Sequence, residues 1–382
     1  MNKAVIVSAV RTPIGKAPKG IFKDIRPDEL ATIAVNGCLD KVPYFDRGEI
    51  EDVILGCAFP ELEQGLNVAR TVAIRAGLPH SVPGVTVNRF CASGLQAIAM
   101  GFQEIMTGTS DVVIAGGVES MSMVPIGGSK LCPNPYIIEN YPEYYMSMGL
   151  TAEQIALRYN ISREEQDEFS LNSYMKTYAA YKEAKFKEEI VPVEIMRNGR
   201  KVLIDYDEVR PNMNMGQLGK LRPIFKVNGT VTPGNSSSTN DGASATLIMS
   251  EEKAAKLGLK PLATLKAFAV AGLDPDVMGL GPVYAIPKVL KKAGLKLEDI
   301  GLIELNEAFA AQSIQCIKML HLNREIMNVN GGAIALGHPL GCTGSKLTAT
   351  LLSEMGKRNI KYGLISMCIG GGMGAAAIFE RK

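Results

Sequence analysis

Residues 297–305 read LEDIGLIEL, and residues 50–56 read IEDVILG. Each is an acidic lead-in followed by a short apolar run, the pattern of a strand buried on both faces. Their surroundings repeat as well. Ahead of the first lie a strand from Ala4 to Val10 and a helix beginning near Pro27, with Asp28 and Glu29 in its first turn and apolar positions at Leu30, Ile33, Ala34 and Cys38. Ahead of the second lie a strand from Ala263 to Val270 and a helix from Val283 to Ala293. After the first come a helix around Leu66 to Ala76, a strand at Val85-Thr86-Val87, the helix that follows Cys91, and a buried strand from Asp111 ending in a turn at Gly116-Gly117. After the second come a helix from Glu307 to Met319, a strand from Ile326 to Asn330, a helix from Ser345 to Met355 and a strand from Tyr362 to Ile369. Strand alternating with helix implies parallel pairing with helices on the faces, and the repeat implies two copies of one α/β unit.

The copies differ in one place. In the second, the glycine run Cys368 to Gly374 leads straight into Ala375 to Phe379 as an antiparallel hairpin. The matching strand of the first copy, Gly242 to Met249, lies far beyond Gly117. The chain therefore divides into an N-terminal unit (1–120 with 240–259), an inserted loop domain (121–239) and a C-terminal unit (260–382). Met, Tyr, Pro and Asn are frequent in the insertion, which carries one charged helical stretch, Thr151 to Ala184. Long excursions of this kind are lids or binding regions.

Composition narrows the function class. At 382 residues, 46% hydrophobic and 21% charged, the chain is globular, and its formal charge of +2 gives no footprint for nucleic acid. Seven cysteines without a CxxC spacing argue against zinc and against a disulfide scaffold. No apolar run approaches a membrane span, and the N-terminal run is too short for a signal peptide. A reducing cytoplasm is the expected location. No GxGxxG follows the first strand, and the P-loop-like Gly337 to Lys346 has Ser-Lys where a P-loop has Lys-Ser.

Four stretches at strand ends carry the chemistry, since ligands of open parallel sheets bind at that edge. Cys91, between strand and helix, sits where unpaired N–H groups and the helix dipole favour a thiolate, although a cysteine by itself is more often a small buried hydrophobe. His338 is held between Gly337 and Pro339, whereas His80 and His321 sit in surface-like connections. A Cys–His pair lets the imidazole take the thiol proton. Asn306 reads equally well as a helix cap or as a site residue, and Glu307 beside it is a candidate orienting partner. Cys368 opens the run Gly370 to Gly374, which serves either as a hairpin turn or as a backbone that approaches an oxyanion.

With these residues in place, the chain resembles the thiolase family, the acyl-CoA:acetyl-CoA C-acyltransferases. The blocks NRFCASGLQA (88–97), AGGVESMS (115–122), MGLTAE (148–153), GTVTPGNSSSTNDGA (229–243), NEAFA (306–310), GGAIALGHPLG (331–341) and CIGGGMG (368–374) match in order. The resemblance implies the thiolase fold: two duplicated βαβαβαββ units in a five-layered α-β-α-β-α core, with a loop domain inserted in the first. It also implies that Cys91 carries the acyl group, that His338 activates it, and that Cys368 is the acid/base of the carbon–carbon step. One oxyanion hole would be His338 with a water held by Asn306, and the other the N–H groups of Cys91 and Gly370. Coenzyme A would contact Arg210 near the nucleotide and Phe225, Ser237, Met148, Met278 and Phe309 along the pantetheine. Acyl-CoA, acetyl-CoA and CoA are then substrates, with no metal or prosthetic group. The implied assembly is a homodimer or homotetramer, with association with other β-oxidation enzymes also open and neither nucleic acid nor membrane as a partner.

Two departures bear on subtype. Biosynthetic short-chain thiolases carry a histidine where this chain has Ser147, which points to degradative 3-ketoacyl-CoA thiolysis, with acetoacetyl-CoA synthesis as the alternative. Cys342 stands where the family commonly has Ala, as silent packing or as a third oxidisable thiol. A ketoacyl-carrier-protein synthase and a non-catalytic acyl-CoA binder are the remoter readings.

Overall fold

The computed structural model describes residues 2–197, 199–209 and 213–381. Its strands are β1 (Ala4–Arg11), β2 (Gly15–Lys16), β3 (Asp52–Gly56), β4 (Val85–Val87), β5 (Val112–Ser120), β6 (Val193–Arg197), β7 (Arg200–Ile204), β8 (Asn240–Ser250), β9 (Thr264–Gly272), β10 (Leu302–Leu305), β11 (Tyr362–Ile369) and β12 (Met373–Glu380). The helices of the first half are α1 (Pro27–Asp40), α2 (Val68–Arg75), α3 (Ser93–Thr107), α4 (Pro135–Asn140), α5 (Met148–Arg158) and α6 (Arg163–Lys182). Those that follow are α7 (Met215–Gly219), α8 (Glu251–Lys256), α9 (Gly281–Ala293), α10 (Ala310–Leu320), α11 (Ala333–Leu336) and α12 (Leu340–Arg358).

Two sheets carry the molecule. The first has the order β1-β8-β5-β3-β4, with β2 pairing β8, and the second the order β10-β11-β12-β9. Within them β3 pairs in parallel with β4 and β5, and β10 with β11, as strand–helix alternation requires. β8 pairs antiparallel with β5, and β12 with β11. The two copies therefore end on equivalent antiparallel pairs, one reached by a tight hairpin and the other across the long insertion.

Period-2 alternation distributes side chains between layers. On the outer face of the first sheet, Val53, Leu55, Val112 and Ile114 pack under Leu30, Ala34 and Cys38 of α1 and Val68 and Val72 of α2. The alternate residues Ile54 and Val113 face inward, where Leu95, Ile98 and Phe102 of α3 and Leu347 and Leu351 of α12 fill the space against Ile365, Met367 and Phe379 of the second sheet. Beyond that sheet, Ile286 and Val289 of α9 and Ile314 of α10 cover Ile303, Leu305, Leu364 and Ile378. Helix, sheet, helix pair, sheet, helix is the five-layered α-β-α-β-α core. The insertion packs on both units: Val193, Ile195 and Ile204 join the outer cluster of the first, and Ile155 of α5 and Phe169 and Tyr174 of α6 belong to the same apolar cluster as Ile314 of the second. Among the described residues no helix is long and apolar enough to cross a membrane.

Three elements differ from expectation, each for a local reason. The strand expected to stop at Gly116-Gly117 runs on to Ser120. A Cβ on Gly116 would stand 2.1 Å from the Ser244 carbonyl oxygen, and one on Gly117 would stand 2.1 Å from that of Gly341. These glycines admit neighbouring backbone rather than make a turn. The strand expected at Ile326 to Asn330 reduces to a single bridge between Ile303 and Met327. Asn328 turns left-handed (φ 43°), and its side-chain amide continues the ladder, accepting from the Leu305 N–H and donating to the Leu305 carbonyl, each at 2.8 Å. The helix expected from Glu307 starts at Ala310, which leaves Asn306 and Glu307 in the preceding loop.

Candidate active site

Cys91 follows β4 in a short 3-10 turn (Phe90–Ala92) that runs into α3. Asn306 follows β10, Cys368 lies near the end of β11 and Gly370 just beyond it, and His338 occupies the connection between α11 and α12. All four side chains are buried: Cys91 is 4% exposed, His338 5%, and Asn306 and Cys368 1% each. His80 and His321 are exposed, as their contexts predict.

The seam between the two units assembles the site. Gly94, at the start of α3, has no room for a Cβ, which would stand 2.8 Å from the Gly341 carbonyl oxygen. That contact lets Cys91 pack with Leu340, alongside Ala58 and Met121. The N–H groups of Gly370 and of Cys91 itself are placed to stabilise a thiolate at Cys91, and a charge there would act on Cys368 beside it. Nucleophile candidate, second cysteine and glycine turn thus share one pocket.

His338 is oriented by Thr343 and Asn240, neither of them a candidate on sequence grounds, and it faces Asn306. Its Nδ1 lies 2.6 Å from Thr343 Oγ1, whose own hydrogen is donated to the Pro339 carbonyl at 2.9 Å. Thr343 must therefore accept from Nδ1–H, which leaves Nε2 as the bare, proton-accepting nitrogen. That Nε2 faces Asn306 Nδ2 at 3.4 Å. The His338 N–H donates to Asn240 Oδ1 at 2.9 Å, and Asn240 donates in turn to the Gly15 carbonyl. The described residues show no direct hydrogen bond between His338 and Cys91.

Asn306 does not cap α10; Gln312 serves that end by accepting from the Phe309 N–H at 3.4 Å. Its amide oxygen is buried and without a protein partner, so it can still hold a polar group in the site. Glu307 turns away from His338 and accepts instead from Ser173, Asn328 and the Ile334 N–H. It braces the loop and does not orient the imidazole.

Electrostatics correct the picture of a ready thiolate. Burial pushes the Cys91 thiol up to about 12, although the Gly370 and Cys91 N–H groups pull the other way. Burial likewise pushes His338 down to about 3, with the Lys346 charge adding to the effect. Desolvation outweighs the helix-terminus donors, so the resting pair is thiol and neutral imidazole. Cys368 is raised well above the ordinary thiol, first by burial and then by Cys91. Cys342 faces Ser244 at 3.4 Å and is fully buried, which favours its packing role.

Four of the expected coenzyme A contacts meet at Cys368. Met148, Phe225, Met278 and Phe309 form one apolar cluster with it, the two phenylalanine rings edge to face at 6.0 Å. Ser237 joins the same wall through its N–H to the Ala308 carbonyl at 2.9 Å. Arg210 lies outside the described residues. Ser147 caps α5, accepting from the Leu150 N–H. No cluster of metal-ligating side chains stands out among the described residues.

The sequence reading also missed Glu119. This buried carboxylate accepts from the N–H groups of Ala58 (2.8 Å), Phe59 (3.4 Å) and Gly341 (2.7 Å) and from Gln64 Nε2 (2.8 Å). It ties the loop after β3 to the start of α12, so it sets how the wall beside Cys91 meets the His338 loop. An acid within an otherwise apolar strand, Val112 to Val118 running into Glu119, was the available signal.

Comparison with known proteins agrees with this arrangement along the whole chain. Residues 4–252 match the family profile of the thiolase N-terminal domain, and residues 259–381 that of the thiolase C-terminal domain. A 3-ketoacyl-CoA thiolase of Bacillus subtilis (strain 168) is 54% identical over 390 residues, covering 100% of both chains. One from Pseudoalteromonas translucida is 48% identical, covering 100% of this chain and 99% of its own. Among solved structures, the Bacillus anthracis acetyl-CoA acetyltransferase superposes with a TM-score of 0.93 at 41% identity, covering 100% of this chain and 99% of its own. Human mitochondrial 3-ketoacyl-CoA thiolase superposes with a TM-score of 0.92 at 40% identity, with the same coverage. With both family profiles and these full-length relatives matching from end to end, the chain belongs to the thiolase family.

Proposed function

We propose that the protein cleaves 3-ketoacyl-CoA with CoA to give acetyl-CoA and a shortened acyl-CoA, in the degradative direction of fatty-acid metabolism. The observation that carries this reading is the Gly370 turn lying between Phe90, next to Cys91, and Met148 of the cluster that holds Cys368, which brings the two cysteines together. His338 Nε2 takes the Cys91 proton as the sulfur attacks the 3-keto carbon, and the oxyanion forms toward N–H donors. Collapse breaks the bond between carbons 2 and 3. The acetyl-CoA carbanion takes the Cys368 proton, leaving an acyl-Cys91 thioester. Incoming CoA gives its thiol proton to the Cys368 sulfur and attacks that thioester, and Cys91 leaves and recovers its proton from His338. Every proton returns to its starting atom, so the cycle as written needs no group beyond the substrates.

The apolar cluster of Met148, Phe225, Met278 and Phe309 supports pantetheine binding beside Cys368, with Ser237 on the same wall. A water between Asn306 and His338 would complete one oxyanion site. A homodimer or homotetramer in the cytoplasm is the expected assembly. β4 is an open sheet edge, and Leu66 beside it is 99% exposed, both consistent with a covered face.

Thiolysis of 3-ketoacyl-CoA substrates from four to sixteen carbons tests the substrate class. The expected result is activity on chains longer than four carbons at least equal to that on the four-carbon one; activity confined to four carbons would move the assignment to acetoacetyl-CoA chemistry. Cys368→Ala tests the acid/base role. It is expected to lower cleavage by roughly 10²- to 10⁴-fold, and cleavage at the wild-type rate would remove Cys368 from the mechanism.

A further inference from the structure

Lys346 is a lysine with almost no contact with water. It lies in α12 at 2% exposure, and its Nζ donates to the Gly337 carbonyl at 3.0 Å. Gly337 is the residue before His338 and is itself held left-handed (φ 89°), at a point where a Cβ would strike the Asn240 amide at 2.4 Å. The two-residue segment is thus gripped from both sides. Asn240 of β8 holds the His338 N–H, and Lys346 of α12 holds the Gly337 carbonyl.

The surroundings of Lys346 give its charge a reason to be there. It faces Arg11 of β1, Asp207 of the insertion, Glu304 of β10 and Cys342 of its own helix. Arg11 bonds Glu189 at 2.7 Å and Asp207 at 2.6 Å, while Thr350, one turn beyond Lys346, donates to Glu189 at 2.9 Å. Burial pushes Glu304 well above the ordinary carboxylate range, which keeps it neutral. Burial and the Arg11 charge push the Lys346 ammonium down while Asp207 pushes it back up, so the acidic side of this buried set is what keeps charge on Lys346. Thr343 and Asn306, the polar groups in contact with His338, carry no charge.

We propose that Lys346 is a positioning residue for the reaction: its ammonium fixes the Gly337–His338 turn and, as a fixed buried cation, holds the imidazole in its neutral, proton-accepting form. The imidazolium formed when Cys91 attacks is then a strong acid, ready to return its proton as Cys91 leaves. The sign follows from Coulomb repulsion. A cation nearby lowers the proton affinity of His338, in line with the additional downward push of Lys346 on a ring that burial already holds at about 3. Removing the cation raises that affinity, so the base form is lost at a higher pH.

This inference rests on His338 being the base, and the experiment separates the two. Lys346→Arg keeps charge and donor, Lys346→Gln keeps a donor without charge, and Lys346→Met keeps neither. Thiolysis by the full-length protein is followed from about pH 5 to about pH 9. The expected result is Lys346→Arg within about threefold of wild type, with Lys346→Gln and Lys346→Met losing about tenfold or more in kcat at little change in KM. In those two variants the acid limb also stands higher than in wild type, while burial still holds the ring low. Profiles parallel to wild type with kcat within about threefold would overturn the proposal.

If the uncharged variants do not fold, wild-type protein labelled with ¹⁵N-histidine decides. His338 should remain a neutral Nδ1–H imidazole down to about pH 5, and its protonation above about pH 5 would sink the idea. A wild type with no thiolysis at all would instead remove the reading of the site on which the inference depends.

Discussion

Cys91→Ala loses thiolysis by at least about 10⁴-fold while the protein stays folded. The loss is large because no other group can take over the acyl chain. Cys368 shares the pocket but its sulfur is held in the apolar cluster of Met278 and Phe309, and His338 presents Nε2 to Asn306. The fold tolerates the change because Cys91 contributes one small side chain to packing among Ala58, Met121 and Leu340. Removing its sulfur costs about 1 kcal/mol. Steady-state kinetics give the rate, and intact mass after incubation with acetyl-CoA gives the intermediate: one acetyl group on wild type, none on the variant. A variant that keeps more than about 1% of the wild-type rate would show that the acyl group is carried elsewhere.

Arg11→Ala is expected to destabilise the protein by about 3–5 kcal/mol, read as a fall in the denaturant midpoint. Arg11 is completely buried. Its Nε donates to Glu189 at 2.7 Å, its two terminal nitrogens to Asp207 at 2.6 and 2.9 Å, and its guanidinium lies 5.3 Å from the centre of the Phe186 ring. Truncation leaves two buried carboxylates without the guanidinium that bonds them both. The damage is electrostatic more than steric, which a second protein tests. Combining Arg11→Met with Glu189→Gln and Asp207→Asn should recover most of the lost stability. If the triple variant is no better than Arg11→Ala, lost packing is the cause.

Much of this molecule could be read from its residues. LEDIGLIEL and IEDVILG both form strands, β10 and β3, because a run of apolar residues too short for a helix and bounded by turns has one economical conformation. Cys91, His338, Asn306 and Cys368 were found because each interrupts a pattern, a polar or reactive residue among small ones at the end of a strand. What could not be read depends on who stands next to whom. Gly116 and Gly117 look like a turn until β8 and the Gly341 carbonyl are in place beside them. Ile326 to Asn330 has strand composition, but the left-handed Asn328 substitutes a side chain for the ladder. The thiolate expected at Cys91 failed for the same reason: a helix terminus is local and visible, whereas desolvation is the sum of everything that closes over the site. Asn240 and Glu119 bond partners on distant segments, so spacing along the chain does not name what they hold.

The position of β8 has a consequence for how the chain is made. It lies between β1 and β5 in the first sheet, bonded to both. Until Asn240–Ser250 has been synthesised, β1 has no neighbour in that sheet and β5 presents an unpaired edge. At ordinary rates of translation the wait after β5 is on the order of ten seconds, far longer than a domain of this size needs to collapse. The nascent N-terminal unit therefore spends that interval as an open sheet, the state most exposed to mispairing with another chain. The inserted domain that helps to build the site is also a delay in the closure of the sheet that supports it.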